Sequence, residues 1–303
     1  MPRLPLYSLL SVTFLLFLAA PLSAQDEDPP RLTQADGWQS AVLASLAASQ
    51  AAYSNWQEGG INALAFSAGA AGQFECVLGA FKQVHNLDLE FGQLKQDTLA
   101  FRKSADLIRY AFALQYQATG VFQPTFALEA RSQFAKGFDY SPDPVDYPAT
   151  LPVVAGQQLQ VSAFGSPAYL TQIIGVTYDP GSWYTARLGV GVKETIVSIE
   201  RLRPVYGNAL DESVRAQAGL DLAVQAQRQI MENVVWTSRL GAFQAVNQFG
   251  NSAPDTIFEN DIAMKVNDFL SVNLGVVTMF DRDVTQDLQF KELLSLGVSF
   301  TLL

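Results

Sequence analysis

The chain has 303 residues, of which 49% are hydrophobic and only 16% charged. Soluble domains carry about 25% charged residues, so the shortfall points to a protein whose surface does not meet water everywhere. With 19 Lys and Arg against 29 Asp and Glu the net charge is −10, which excludes the basic footprint that a nucleic-acid partner requires.

In chain order, the start reads as an export signal. Arg3 supplies the positive end, Leu9 to Ala20 the apolar run, and Leu22-Ser23-Ala24 a small-residue cleavage site before Gln25. That run is shorter than the roughly 20 residues a spanning helix needs. We therefore expect a cleaved signal peptide at residues 1–24, a short periplasmic segment at 25–37 and one further unit over 38–303. Cleavage removes Arg3 alone among the charges and takes the net charge one unit lower, to −11. Cys76 is the single cysteine, so no intrachain disulfide can form. Its place in an alternating apolar register reads as a small hydrophobe.

From Trp38 onward the chain alternates with a period of two. In VRAQAGLDLAVQAQ (214–227) every even position is apolar and most odd ones are polar or tiny. A helical face through Val214, Ala218, Asp221 and Gln225 would not be apolar, whereas the strand face is wholly so. The same alternation runs through 108–116, 125–134, 184–193, 270–276 and 294–302. Runs of this length suit tilted membrane-spanning strands, which need about 9–11 residues. The pattern predicts about twelve strands, near 38–52, 61–78, 81–94, 104–118, 122–136, 166–179, 182–193, 213–229, 232–248, 256–267, 269–280 and 287–303.

The connections alternate too. Gly79-Ala80, Thr119-Gly120-Val121, Asp179-Pro180-Gly181, Ile230-Met231 and Asp268 are tight, while stretches such as 137–165, 194–212 and 249–255 are long. Short periplasmic turns and longer outer loops are the layout of an outer-membrane barrel, and they put both termini on the periplasmic side. Phe122, Tyr178, Trp183 and Phe269 fall beside tight turns; Phe91, Phe138, Phe258, Phe280 and Phe290 fall beside long loops, as interfacial girdles require. Hydrocarbon offers backbone groups no partner, so such a sheet must close on itself. The expected fold is an all-β, antiparallel, up-and-down transmembrane barrel in the outer membrane.

Four stretches are less generic: SQAAYSNWQEGGINALAFSAG (49–69), GAFKQVHNLDLEFG (79–92), ENDIAMKVNDFLSVNLGVV (259–277) and QFKELLSLGVSFTLL (289–303). With Asn55-Trp56, Gly59-Gly60 and Phe290-Lys291-Glu292 as signatures, the chain from Trp38 to Leu303 resembles an outer-membrane β-barrel family catalogued as domain of unknown function 3078. The resemblance implies fold and location and carries no activity.

Chemistry is sparse. His85, the one histidine, shares the lipid-facing parity with Leu87, Leu89 and Phe91, and no serine stands opposite it, so a Ser–His hydrolase is not expected. One His and one Cys exclude an ordinary zinc site, and no phosphate loop is present, so no cofactor is expected. Asp139, Asp143 and Asp146 match no calcium loop and read as solvated loop. Parity instead sends Asp88, Glu90, Arg109, Glu129, Arg131, Arg187, Arg215, Asp221, Arg239, Asp261, Lys265 and Lys291 to the interior. Folding about Gly120 puts Arg109 opposite Arg131; folding about Ile230-Met231 puts Asp221 opposite Leu240, beside Arg239. Lumenal Gly189, Gly191, Gly219, Gly275 and Gly297 are expected to leave space for a small passage.

The expected function is a narrow channel for small hydrophilic solutes, with outer-membrane lipid and the barrel-assembly machinery as partners. The alternatives are a closed structural or adhesion barrel acting through its outer loops, and a lipid-modifying enzyme dependent on His85.

Overall fold

The structure is a computed structural model that describes residues 37–52, 61–250, 252–267 and 270–301. The expected signal peptide, the segment up to residue 36, the Asn55-Trp56 and Gly59-Gly60 signatures, Asp268, Phe269 and the last two residues lie outside the described residues.

Twelve antiparallel strands close into a barrel. In chain order they begin β1 (Gly37–Ala51), β2 (Ala63–Leu78), β3 (Phe81–Gln96), β4 (Arg102–Tyr116) and β5 (Phe122–Ser132). A small hairpin outside the barrel follows, β6 (Gly137–Asp139) and β7 (Leu159–Ser162). The barrel resumes with β8 (Ala168–Tyr178), β9 (Tyr184–Ile196), β10 (Val214–Met231), β11 (Val234–Ala245), β12 (Asp255–Lys265), β13 (Leu270–Phe280) and β14 (Gln289–Thr301). Each barrel strand pairs with its chain neighbours, β5 pairs with β8 across the insert, and β14 pairs with β1 to leave no edge.

Alternation decides which way each side chain points. Ile173 and Ile174 are adjacent on β8, yet the first is 2% exposed and the second 70%. Ile174, Val176, Leu188, Val190, Leu294 and Leu296 all stand exposed on the outside. Gln217, Asp221, Lys193 and Thr195, of the opposite parity, are covered. A continuous apolar exterior of this extent is not tolerated in water; it matches the hydrocarbon band of a spanning barrel. Among the described residues no helix is long and apolar enough to cross a membrane, so the strands are the crossing elements.

Glycine shapes three of the tight turns: Gly79 has φ 59°, Gly120 φ 78° and Gly181 φ 70°, where an L side chain is strained. The fourth tight turn differs from expectation. It is Glu232-Asn233, because β10 runs on to Met231, and a bulge between Gln229 and Met231 shifts the register. A plain two-residue turn there would set inward Asp221 opposite Gln244, on the outward parity. The bulge slides the pairing by one residue and places Asp221 opposite Phe243, so that inward faces match.

At the long-loop end the insert 133–167 and the segment 197–213 fold over the mouth. Leu151, Val197, Leu202 and Tyr206 form a buried cluster, flanked by Tyr147, Leu159, Ile199, Val205 and Val284. The 3₁₀ segment Glu200–Tyr206 brings Leu202 and Tyr206 inward, and the Tyr206 hydroxyl donates to the Val161 carbonyl at 2.9 Å. Burial pushes the Tyr206 hydroxyl pKa well up, and burial together with the 2.7 Å hydrogen bond to Asp139 does the same for Tyr147. Phe138 therefore belongs to this cap, beside Tyr140, and not to a girdle. At the other end a chain of ring contacts joins Phe122, Tyr178, Tyr184, Trp183 and Trp236, an aromatic belt at the tight-turn rim.

Candidate functional site in the barrel lumen

The most constrained interior group is Arg109 on β4. Its Nε and Nη2 bond Asp88 of neighbouring β3 at 3.0 and 2.9 Å. Its Nη1 reaches Glu259 of β12 at 2.5 Å. In the ring of twelve, β4 and β12 stand six places apart, so this contact crosses the whole lumen. A round barrel of twelve strands about 4.8 Å apart, tilted about 40°, would be roughly 24 Å across. An arginine and a glutamate laid end to end span much less, so the barrel is flattened along this axis. The side chains of Arg109 and Glu259 are 12% and 11% exposed, which makes the pair a largely desolvated tie.

Around the tie, Arg131 stands opposite Arg109, as folding about Gly120 requires. Arg239 stands opposite Glu259, with a buried Nη1 that donates no hydrogen bond to protein atoms among the described residues. Asp261 is exposed two residues nearer the tight turns, Lys291 pairs loosely with Glu90 at 3.7 Å, and Lys265 is exposed at the tight-turn end of β12. Asp221 pairs not with Arg239 but with Arg187 of β9, at 3.1 Å. This corrects the expected register, for Arg239 lies opposite Gln225, beyond reach of Asp221.

A second charged layer lies towards the long loops. Lys193 Nζ sits between Asp255 at 2.7 Å and Asp281 at 3.3 Å. Arg215 bonds Asp283 at 2.7 Å and the Tyr206 carbonyl at 3.2 Å, tying the wall to the cap. Sequence reading missed Lys193, Glu259, Asp255, Asp281 and Asp283. For Lys193 and Glu259 a signal existed, since each shares parity with an inward neighbour already identified, Arg187 and Asp261. Asp281 and Asp283 follow β13, where parity says nothing. Among the described residues the carboxylates of Asp255, Asp281 and Asp283 are close enough to share a metal ion, but each is already ion-paired, two with Lys193 and one with Arg215.

The expected space beside the lumenal glycines is partly filled. A Cβ on Gly189 or Gly191 would meet Ile173, and one on Gly219 would meet Phe243. Those glycines admit inward apolar side chains; they do not widen a bore. What remains open is a cavity of about 420 Å³ in the long-loop half, lined among others by Glu129, Arg131, Tyr169, Lys193, Asp255 and Phe280. On the exterior, His85 Nδ1 lies 2.8 Å from the Tyr110 hydroxyl, flanked by Trp38 and Phe112. The cross-strand neighbours of His85 are Phe74 and Phe112. Cys76 is buried.

A closed antiparallel barrel with an apolar exterior and a charged interior is an outer-membrane β-barrel. Residues 48–138 match the family model described as "Protein of unknown function (DUF3078)", the family its strand signatures resemble; the match starts near the end of β1 and stops within β6. No curated protein sequence matches the chain. Among solved structures it is similar to the translocator domain of autotransporter NalP from Neisseria meningitidis, with 10% identity over 88% of each chain and a TM-score of 0.36. It is also similar to an outer membrane channel from Pseudomonas putida F1, with 9% identity over 93% of this chain and 99% of that one and a TM-score of 0.36. A third is the Pseudomonas putida toluene transporter TodX, with 12% identity over 88% and 89% and a TM-score of 0.33. The barrel assignment itself rests on this chain's own strand closure and exterior.

Proposed function

We propose that the chain is a narrow outer-membrane channel for small hydrophilic solutes, held closed at rest by the Arg109–Glu259 tie, with its long loops outward and both termini in the periplasm. The observation that carries the reading is the cavity of about 420 Å³ inside the barrel, whose wall holds charged groups of both signs. A purely structural barrel gains nothing from an open, charge-lined space, because buried charge is expensive unless fully paired. The reading is non-enzymatic: the hydrogen-bond partner of His85 is the Tyr110 phenol on the barrel exterior, and among the described residues no serine stands beside the pair as a Ser–His site would need. Assembly into the membrane would use the barrel-assembly machinery.

A second reading, a closed scaffold or adhesion barrel, is favoured by two observations, the tie across the lumen and the apolar core of the cap. Single-channel recording on the refolded full chain separates them. The channel reading expects small discrete conductance for the native chain and larger events for Arg109→Met. Silence from both would overturn it and leave the scaffold.

A further inference from the structure

Among the described residues, every acidic or basic side chain on the cavity wall has a hydrogen-bonded partner except two. Asp106 is bound by Lys103 at 3.0 Å and accepts the backbone N–H groups of Phe134 and Ala135. Asp221 is held by Arg187, and Asp255 and Asp281 share Lys193. Glu129 and Arg131 line the same cavity and, among the described residues, enter no hydrogen bond or close ion pair, though Glu129 faces the charges of Arg109 and Arg239 and Arg131 that of Glu259 at longer range. They are successive inward residues of β5, whose outward neighbours Leu128 and Ala130 lie between and beside them. Two strand residues span about 7 Å, so a carboxylate and a guanidinium without hydrogen-bond partners leave the wall from positions that far apart. Flanking them are Tyr169, which stands opposite Arg131, and the apolar Phe243, Ile257, Met279 and Phe280.

We infer that this cavity is a binding site for a small zwitterion with an apolar flank, its ammonium on Glu129 and its carboxylate on Arg131. The inference rests on the channel reading for its biological sense, and names the solute class of that same lumen. A dipeptide fits the spacing, since two extended residues span about 7 Å, and the volume lies within the range of small-molecule sites. A simple anion or cation would bond one of the two groups and leave the other without a hydrogen-bond partner, which selects for a ligand carrying both charges. The two carboxylates on Lys193 leave one surplus negative charge in the wall, which further favours the ammonium end over an anionic ligand.

The test uses the refolded full chain in detergent and leucyl-leucine as probe, with binding measured by titration calorimetry. Its N-acetylated and C-amidated forms are the comparison. Charged hydrogen bonds of this kind contribute about 1.5–3 kcal/mol, so either blocked form, and either Glu129→Gln or Arg131→Gln, is expected to bind about 10- to 100-fold more weakly. The double exchange Glu129→Arg with Arg131→Glu is expected to bind the free dipeptide again, reversed in orientation, while each single exchange does not. Equal binding of free and blocked dipeptides, or no binding to a native-like barrel judged by its circular dichroism, overturns the site. Because binding is read without a membrane, a silent barrel that still binds refutes the channel and spares the site; a conducting barrel that does not discriminate refutes the site and spares the channel.

Discussion

Replacing Arg109 with methionine keeps much of its aliphatic length and removes the cation that holds Asp88 and Glu259. Glu259 is 9% exposed, so it is left as a charge with little water to replace its partner. Breaking one side of such a buried pair destabilises by about 3–5 kcal/mol, whereas exchanging both partners for apolar groups is often near neutral. Arg109→Met should therefore lower stability by about 3 kcal/mol, and Arg109→Met with Glu259→Met by distinctly less than the sum of the two single changes. Urea unfolding of the chain in lipid vesicles, followed by gel mobility, gives the four corners of the cycle. If the two changes add to within about 0.5 kcal/mol, as independent sites do, no tie crosses the lumen and the account of its closure is wrong.

The exterior can be tested at the two adjacent isoleucines: Ile174→Arg, on the lipid side, should destabilise by about 2–4 kcal/mol near mid-membrane, and Ile173→Ala by about 2–5 kcal/mol through the void it leaves. Unfolding in vesicles reads both, and an arginine tolerated at 174 would deny that this face meets lipid. Leu202→Ala should loosen the cap by a similar 2–5 kcal/mol while leaving the barrel strands intact. Hydrogen exchange should then rise in 140–165 and 197–213 only; a uniform rise through the strands would make the cap inseparable from the barrel. In the cap, the folded pKa of Tyr206 and Tyr147 is raised, so above the ordinary tyrosine value of about 10 the unfolded loops release protons that the folded ones retain. Cap stability is thus complete below about pH 10 and falls as pH rises beyond it. Phenolate absorbance appearing at the ordinary value, unchanged by Tyr206→Phe, would contradict this.

What the sequence could say was local. Period-two alternation is set residue by residue, so the twelve strands and the inward side of Arg109, Arg187 and Asp221 could be read directly. Register was harder, because neither the turn at Glu232-Asn233 nor the bulge at Gln229/Met231 leaves a mark in the alternation; together they set Arg239 opposite Gln225, and Asp221 pairs instead with Arg187 on its other neighbour, β9. Partners across the lumen were beyond reach: Arg109 and Glu259 are 150 residues apart, and their meeting depends on the shape of the whole ring. The lumenal glycines misled for a related reason. Gly189 and Gly191 look like empty space along one strand, but Ile173 of the next strand fills it.

The flattening that lets Arg109 touch Glu259 has a geometric corollary. A loop of fixed perimeter encloses its greatest area when circular, so an oval cylinder can gain cross-section simply by becoming rounder. No ladder between strands has to break for that to happen; the staves only change the angles at which they meet. Lateral pressure from the surrounding bilayer, which acts on shape and not on chemistry, would then bear directly on how wide the interior stands.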